Sequence, residues 1–293
     1  MDPALWALVP AKLQELGISF APIYGAEPLM VMPSLLNFIK NAKGRFPVSV
    51  ITNGTLLTTK NIEELKEAGL ESITVPRDIT YIDKSTALKS ISSDSALQFL
   101  KKNFKDVEVI CTVTKDNWKL LPELIKQMTA LGIWVHFDFY HWNKGQPGSK
   151  CAGMAELPSI DEIEEGAIEL HKLKDSGYLI HSSTEALIYL RTCPNQAYYE
   201  YWKCEGGSFV TLNCDGNIYP CDDYQPESMK DKFPILKFNE TWDWDTFVKV
   251  CQKEVLKCPG CFWLTHIQSE IYWNETNYDW KKEMIHETNE VKR

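Results

Sequence analysis

Short apolar runs alternate with amphipathic stretches along the first half of the chain. The apolar runs predict strands over residues 18–24, 48–51, 72–75, 107–114 and 134–140. In the stretches around them, apolar positions recur at helical spacing, which predicts helices over residues 5–16, 35–42, 61–68, 96–103 and 120–131. Repeated strand–helix–strand units with short connections predict an α/β fold on a parallel sheet, either doubly wound or curled as a barrel.

One predicted helix has residues at both ends that are typical of helix caps, and the alternation of strands and helices stops near residue 142. Thr58 or Thr59 suits the N-cap of the helix over 61–68, and Gly69 suits its C′ position. Beyond residue 142 we predict helices over 160–174 and 183–190, and then short hairpin strands with clustered cysteines. We therefore divide the chain into residues 1–190, a cysteine-rich unit over 191–265, and a C-terminal tail over 266–293 that is predicted to be helical.

Composition and charge exclude several classes of protein. Apolar residues make up 44% and charged residues 24% of the 293 residues, which is typical of a globular protein. The net charge of −9 and the lack of a basic patch argue against nucleic-acid binding. The apolar run over 4–10 is too short to cross a membrane and has no cationic lead. Nine cysteines without a secretion signal predict metal-bound thiolates in the reducing cytoplasm.

Four of the cysteines have the spacing of a metal cage. Cys204 and Cys221 are separated by 16 residues, and Cys258 and Cys261 form a CxxC pair. Four thiolates in such a set bind either zinc or an iron–sulfur cluster. Cys193 or Cys214 is an alternative to one of the four ligands. The residues alone leave the choice between the two metals open.

Small and polar residues follow the predicted strands, where α/β folds bind their ligands. Taken singly, each of these segments reads equally well as a tight turn or a helix cap. The candidate binding residues are Gly25, Ala26 and Glu27 after the first strand, Thr52, Asn53 and Gly54 after the second, Asp78 after the third, and Thr114 and Asn117 after the fourth.

Taken in order, these segments resemble a known family. The series Gly-Ala-Glu-Pro-Leu (25–29), Thr-Asn-Gly-Thr-Leu-Leu (52–57), Ser-Ile-Thr-Val-Pro-Arg-Asp (72–78) and Thr-Val-Thr-Lys-Asp-Asn (112–117) is similar to the radical S-adenosylmethionine (radical SAM) enzymes. The cysteine pattern resembles that of the SPASM/twitch subgroup. The resemblance covers about residues 10 to 265. It implies a partial (β/α) barrel of parallel strands, followed by a small cysteine-rich hairpin domain.

The resemblance assigns roles to the strand-end segments. Residues 25–27 match the Gly-Gly-Glu segment that holds the methionine amino group of SAM, with Ala26 in place of the second glycine. Residues 52–54 match the segment that lines the pocket. Asp78 matches an aspartate of the family, although Pro76 replaces the serine that often precedes it. The resemblance places the end of the fourth strand, residues 114–117, near the ribose or adenine.

The resemblance also implies the chemistry and the partners. The four cysteines would hold an auxiliary 4Fe–4S cluster, with zinc as the alternative. The implied reaction is reductive cleavage of SAM and hydrogen abstraction from a small-molecule or peptide substrate, with a reducing electron-transfer protein as partner. The predicted function is an oxidoreductase or a peptide-modifying enzyme. The rival hypothesis is a non-catalytic scaffold or partner-binding protein with a structural four-cysteine site.

One motif of the family is not found in the sequence. Radical SAM enzymes bind their first cluster with CxxxCxxC, whereas the first cysteine here is Cys111. Two interpretations are that the sequence is N-terminally truncated, or that it is a homologue that has lost radical chemistry. We favour truncation because the downstream motifs are intact. Whether the chain is an enzyme is therefore left open, and no catalytic residue is assigned.

The histidines give a weaker signal. The six of them show no spacing that is typical of metal ligands. His136 and Asp138, with Tyr140, are expected on one face of the last predicted strand. They would line the barrel interior near the substrate, or form a polar network there.

Overall fold

The computed structural model describes residues 2–78, 93–140, 157–192, 209–222, 224–258, 264–265 and 267–269. The strands are β1 (Ala21–Ile23), β2 (Val48–Ile51), β3 (Ser72–Pro76), β4 (Asp106–Val113), β5 (Trp134–Phe139), β6 (Thr211–Leu212) and β7 (Ile218–Tyr219). The α-helices are α1 (Pro3–Trp6), α2 (Val9–Glu15), α3 (Met32–Ala42), α4 (Thr59–Ala68), α5 (Asp94–Asn103), α6 (Leu121–Ala130), α7 (Ile160–Asp175), α8 (Thr184–Thr192) and α9 (Trp244–Val255).

Strands β1 to β5 form a parallel sheet in the order of the sequence, curled as a half-barrel. This confirms the predicted α/β class and, of the two arrangements, the curled one. The helices cover the convex face of the sheet, against which alternate residues of each strand are buried. In β4 these are Val107, Val109, Cys111 and Val113, none of them more than 1% exposed. The other face of β4 and β5 is concave and carries polar residues, because successive side chains of a strand point to opposite faces.

Two predicted elements are shorter in the structure than in the sequence analysis. The helix predicted over 5–16 is divided into α1 and α2. Pro10 lies in the first turn of α2, where its missing N–H costs nothing, but a continuous helix would need that N–H to donate. The strand predicted over 18–24 is reduced to β1, which pairs only with β2 among the described strands.

The predicted ends of α4 are confirmed. The Thr58 hydroxyl accepts a hydrogen bond from Asn61 N at 3.2 Å, so Thr58 and not Thr59 is the N-cap. Gly69 has a φ of 103° and ends the helix. Because this left-handed conformation favours glycine, the sequence marks the turn that leads into β3.

The second half of the described chain contains the predicted hairpin. Strands β6 and β7 are antiparallel, and α9 follows them. The predicted tail over 266–293 lies outside the described residues except at 267–269. Among the helices of the described residues, none is long and apolar enough to cross a membrane.

Candidate cofactor and metal sites

The parallel sheet brings the strand-end segments to one edge. β1, β2, β3 and β4 are adjacent and point the same way, so the residues that follow them are neighbours. Further hydrogen bonds, in addition to those that pair the strands, connect these segments. Thr52 N donates to the carbonyl of Thr74 at 3.1 Å, and Thr112 N donates to Oδ1 of Asp78 at 3.0 Å. The candidate residues are thus assembled by the sheet rather than scattered over the surface.

Glu27 joins the first two segments. Its Oε1 accepts from Leu29 N at 3.0 Å and from the Thr52 hydroxyl at 2.6 Å, and its Oε2 accepts from Asn53 N at 2.8 Å. Glu27 is 8% exposed and Thr52 is 1% exposed. A carboxylate has about four lone-pair sites, and three are used here. Glu27 therefore fixes the loop after β1 to the end of β2. Most of its capacity to accept hydrogen bonds is used within the protein.

The loop that Glu27 fixes presents its backbone to solvent. Gly25 and Ala26 are exposed, and both have positive φ values, 100° and 21°. A Cβ added at Gly25 would meet no atom within 4 Å, so open space adjoins the loop. The positive φ of Ala26 is unfavourable for a residue with a side chain. The exposed peptide groups of this loop are available to a ligand.

The fourth segment is held from within by Asn117. Its Oδ1 accepts from Thr114 N at 2.8 Å, and its Nδ2 donates to the Thr112 carbonyl at 2.8 Å. Asn117 is 5% exposed. Its amide shapes the turn after β4, and Thr114 at the start of that turn is half-buried.

Two of the four predicted cage cysteines lie in described residues. Cys221 follows β7 and Cys258 follows α9, and Tyr224 N lies 3.0 Å from Sγ of Cys221. Burial raises the pKa of Tyr224, and the charges of Glu254, Cys258 and Cys221 add to this. Both thiols are therefore close to Tyr224. Cys204 and Cys261 lie outside the described residues, as does Cys193, and Cys214 is exposed in the β6–β7 turn.

A polar cluster lies on the concave face of the half-barrel. Oε1 of Glu108 in β4 is 2.5 Å from Nδ1 of His181 and 3.9 Å from Nδ1 of His136 in β5. The imidazoles of His136 and His181 are stacked with their centroids 4.9 Å apart. Oε2 of Glu108 accepts from the Thr74 hydroxyl at 3.0 Å. Oε1 is buried, and no hydrogen bond of acceptable geometry reaches it within the described residues.

Asp138 lies beside this cluster and connects it to the segment after the CxxC pair. Its Oδ1 accepts from Leu264 N at 2.9 Å, and its Oδ2 accepts from the Thr265 hydroxyl at 3.0 Å. The Thr265 hydroxyl is in turn 3.0 Å from Nε2 of His136. The prediction that His136 and Asp138 share an interior polar face is confirmed, and Tyr140 beyond the strand is 38% exposed.

The titration of these groups reflects their mutual charges. Burial would raise the pKa of Glu108, but His181 and His136 together hold it below its ordinary value. Burial would likewise raise the pKa of Asp138, which His136, Leu264 N and Thr265 hold below its ordinary value. Burial would lower the pKa of His136, yet Asp138 and Glu108 raise it. Both carboxylates are therefore ionised near neutral pH.

The sequence analysis did not single out Glu108 or His181, because no spacing along the chain connects them with His136. Glu108, His136 and His181 form a group that could hold a metal ion, with ligand atoms within 4.8 Å of one another. The available signal was Glu108, a carboxylate inside the predicted strand over 107–114, whose other residues are apolar or neutral. His181 is 45 residues beyond His136 in the sequence and meets it only because residues 178–181 run beside β5, where Ile180 bridges Val135.

Comparisons with known proteins relate the chain to others at low identity. No family model matches the chain. It is 29% identical over 137 residues to "Probable GTP 3',8-cyclase" of Methanopyrus kandleri, a match that covers 45% of this chain and 44% of that protein. It is 30% identical over 115 residues to the "Tungsten-containing aldehyde ferredoxin oxidoreductase cofactor-modifying protein" of Pyrococcus furiosus. This match covers 35% of this chain and 32% of that protein. The matches thus span less than half of either relative.

Solved structures share the fold. SuiB of Streptococcus suis bound to S-adenosylmethionine superposes with a TM-score of 0.59 at 13% identity, over 81% of this chain and 57% of that chain. SuiB bound to its precursor peptide SuiA superposes with a TM-score of 0.54 at 12% identity, over 79% and 56%. At these identities the likeness concerns the fold.

Proposed function

We propose that this chain, whose relationship with the radical SAM superfamily the curated relatives and structural neighbours support, binds SAM at the strand ends of its half-barrel. We further propose that it belongs to the SPASM/twitch subgroup and that it acts as an oxidoreductase or a peptide-modifying enzyme. The observation that carries the proposal is the Glu27 carboxylate. It holds the exposed loop after β1 against the end of β2 at the ligand-binding edge of a curled parallel sheet.

The residues at this edge fit the parts of SAM. The exposed peptide groups of Gly25 and Ala26 suit the methionine ammonium and carboxylate. Glu27 contributes mainly by positioning this loop, because three donors of the protein already occupy its oxygens. Asp78, half-buried at the end of β3, suits the ribose hydroxyls. When SAM is bound and reductively cleaved, it supplies a 5′-deoxyadenosyl radical.

We propose that Cys204, Cys221, Cys258 and Cys261 hold an auxiliary 4Fe–4S cluster. Cys221 and Cys258 both lie near Tyr224, as ligands of one cluster should. Four thiolates leave no iron open to substrate, so the cluster would conduct electrons. The segment beyond Cys261 contacts Asp138 in the barrel, which would connect the cluster to the concave face.

We propose a small-molecule or peptide substrate, a reducing electron-transfer protein as partner, and a cytoplasmic location. A structural neighbour that binds a precursor peptide supports the peptide class of substrate. An odd number of cysteines, nine, suits a reducing compartment, where thiolates remain available to iron. The reductive cleavage of SAM consumes one electron, which the electron-transfer partner would supply.

Cys258→Ser is expected to abolish the iron–sulfur absorbance of anaerobically reconstituted protein and to lower its iron content in proportion. Cys214→Ser is the matched control, since Cys214 is exposed in the hairpin turn, and it should retain both. Iron analysis and the visible spectrum provide the readout. A colourless protein with one zinc per chain would contradict the cluster, and a loss in the control would show that Cys214 is a ligand instead.

Asp78→Asn is expected to weaken SAM binding by about 10-fold to 100-fold, because a hydrogen bond to a charged acceptor contributes roughly 1.5–3 kcal/mol. Asparagine keeps the acceptor for Thr112 N, so the strand end should stay intact. Asp116→Asn, at an exposed position of the next segment, is the control. Calorimetric titration with SAM measures the affinities. Equal affinities in both variants, or no saturable binding by the unmodified chain, would refute the site.

A further inference from the structure

The cluster of Glu108, His136 and His181 is separate from the strand ends. Glu108 is near the start of β4, and Thr114 follows the end of that strand. At about 3.3 Å per residue, these positions are roughly 20 Å apart along the strand. The cluster is also formed entirely by residues that the proposed SAM and iron–sulfur sites do not use.

The hydrogen bonds of His136 determine its tautomer. They therefore determine which ring nitrogen presents a lone pair to Glu108. The Thr265 hydroxyl has one hydrogen, which it donates to the ionised Asp138. Its oxygen must then accept from Nε2–H of His136, 3.0 Å away. Neutral His136 therefore carries its lone pair on Nδ1, which points toward Oε1 of Glu108 at 3.9 Å. Two acceptors that face each other repel unless a proton or a metal ion lies between them.

The charges lead to the same conclusion. Two carboxylates, Glu108 and Asp138, lie with two imidazoles on the concave face, with side chains only 14% and 17% exposed. The negative charge of a carboxylate is costly to bury without compensation. One divalent ion compensates it, and so would a proton on each histidine. Oε1 of Glu108 and one ring nitrogen of each histidine lie within 4.8 Å of one another, so a single ion can contact all three residues at once, which separate protons cannot do.

We propose that Glu108, His136 and His181 bind one divalent transition-metal ion through Oε1 and the two Nδ1 atoms. Two imidazoles and a carboxylate are the ligand set of catalytic zinc sites and of non-haem iron(II) sites, with positions left open for water or substrate. The inference goes beyond the proposed function and does not depend on SAM or on the cysteine cluster.

The distances need only a small adjustment to hold an ion. Metal–ligand distances of about 2.1 Å place tetrahedral ligand atoms roughly 3.4 Å apart. The Glu108–His136 separation of 3.9 Å is close to this, whereas the Glu108–His181 separation of 2.5 Å must widen. The side chain of His181 is 44% exposed, so it has room to turn and gives the ion a route from solvent.

Asp138 and Thr265 complete the site as positioning residues. A histidine that binds a metal usually donates its other ring N–H to a carboxylate, a carbonyl or a hydroxyl, which fixes the ring and the tautomer. Nε2 of His136 donates to Thr265, which Asp138 orients. Because Leu264 N also donates to Asp138, the segment after the CxxC pair takes part in ordering this site.

The test is titration of the chelator-treated full chain with Zn²⁺ and with Co²⁺. The unmodified chain should bind one more ion than His181→Ala, and the additional Co²⁺ should show the visible bands of nitrogen and oxygen ligands without sulfur-to-metal charge transfer. His171→Ala is the matched control, since His171 pairs with Asp175 one turn further along α7 and takes no part in the cluster. Equal stoichiometry in the unmodified chain and His181→Ala would overturn the proposal.

A second variant tests the site without removing a ligand. Asp138→Asn retains an acceptor for Leu264 N, but its amide N–H₂ donates to Thr265, which then donates to Nε2 of His136. The hydrogen of neutral His136 moves to Nδ1, and the affinity for Zn²⁺ should fall about 10-fold to 100-fold. An unchanged affinity would refute the site as drawn.

Two further readouts separate this inference from the proposed function and from misfolding. Saturating Zn²⁺ should raise the Tm of the unmodified chain and of His171→Ala by more than that of His181→Ala, in which only the cysteines remain to bind it and whose Tm without metal should be normal. A Zn²⁺-dependent shift of the same size in His181→Ala would contradict the proposal. Iron content and SAM binding are measured on the same preparations. Their loss alongside intact Zn²⁺ binding would refute the proposed function and support this site.

Discussion

Glu27→Ala is expected to lower the free energy of unfolding by about 4 kcal/mol, which is at the upper end of single-residue effects. The substitution removes the acceptor of Leu29 N, the Thr52 hydroxyl and Asn53 N at once. Thr52 is 1% exposed, so water reaches its hydroxyl poorly. The loop after β1 should detach from β2, and SAM binding should weaken with it.

Chemical denaturation measures this effect, and two further variants bracket it. Glu27→Gln keeps two of the hydrogen bonds but turns an amide N–H₂ toward one donor, so a loss of about 2 kcal/mol is expected. Glu63→Ala, at an exposed position of α4, should change the stability by less than about 0.5 kcal/mol. A loss below about 1 kcal/mol for Glu27→Ala would show that the carboxylate does not hold the two segments together.

Gly166→Ala is expected to destabilise the protein by about 3 kcal/mol, although alanine favours helices over glycine by about 1 kcal/mol. A Cβ on Gly166 in α7 would lie 2.5 Å from Nε1 of the Trp118 indole and closer still to two ring carbons. Trp118 is 3% exposed and packs on Phe137 and Phe139 of the sheet, so it has no space into which to retreat.

The same contact holds α7 against the loop after β4. Trp118 Nε1 donates to the Glu162 carbonyl at 2.6 Å, and Lys119 pairs with the Glu162 carboxylate at 2.8 Å. That ion pair, with hydrogen bonds from Ser159, lowers the pKa of Glu162 to about 2. A displaced α7 would break the hydrogen bond from Trp118 Nε1 to the Glu162 carbonyl. It would also disturb the nearby turn that Asn117 shapes.

Thermal and chemical denaturation compare Gly166→Ala with Glu165→Ala, an exposed neighbour on α7 that should be close to neutral. Adding Trp118→Leu to Gly166→Ala should recover part of the loss, because the smaller side chain leaves room for the methyl group. The double-mutant cycle then measures the coupling. Additive effects in the cycle, or a stabilised Gly166→Ala, would show that the indole is free to move.

Most of the fold could be predicted from the sequence. The five parallel strands and their helices follow from local periodicity, which every helix-forming and strand-forming segment carries in itself. Caps are equally local, so Gly69 was predicted to the residue and the N-cap to within one residue, as Thr58 or Thr59. The errors arose at the edge of the sheet, where β1 is shorter than its apolar run and where Pro10 divides one predicted helix into two.

The candidate sites were predictable to the extent that they follow the strands. Parallel neighbours end at the same edge, so residues 25–27, 52–54, 78 and 114–117 were expected near one another, and the sheet order brings them there. Their roles toward SAM and those of the four cysteines stay predictions. The carboxylate of Glu27, expected to bind the ligand, also makes three hydrogen bonds within the protein, which a strand pattern does not reveal.

The sequence by itself determined the parallel sheet with its helices and which segments lie together at one edge of it, because hydrophobic periodicity and strand direction are properties of neighbouring residues. That the sheet is curled, and not doubly wound, was decided by the tertiary structure. Only the tertiary structure decided that Glu108, His136 and His181 meet on the concave face. They come from β4, from β5 and from the segment after α7, and no spacing along the chain encodes their approach. Curling of the sheet brings buried charges from these distant positions together, and their mutual compensation makes the cluster a candidate metal site.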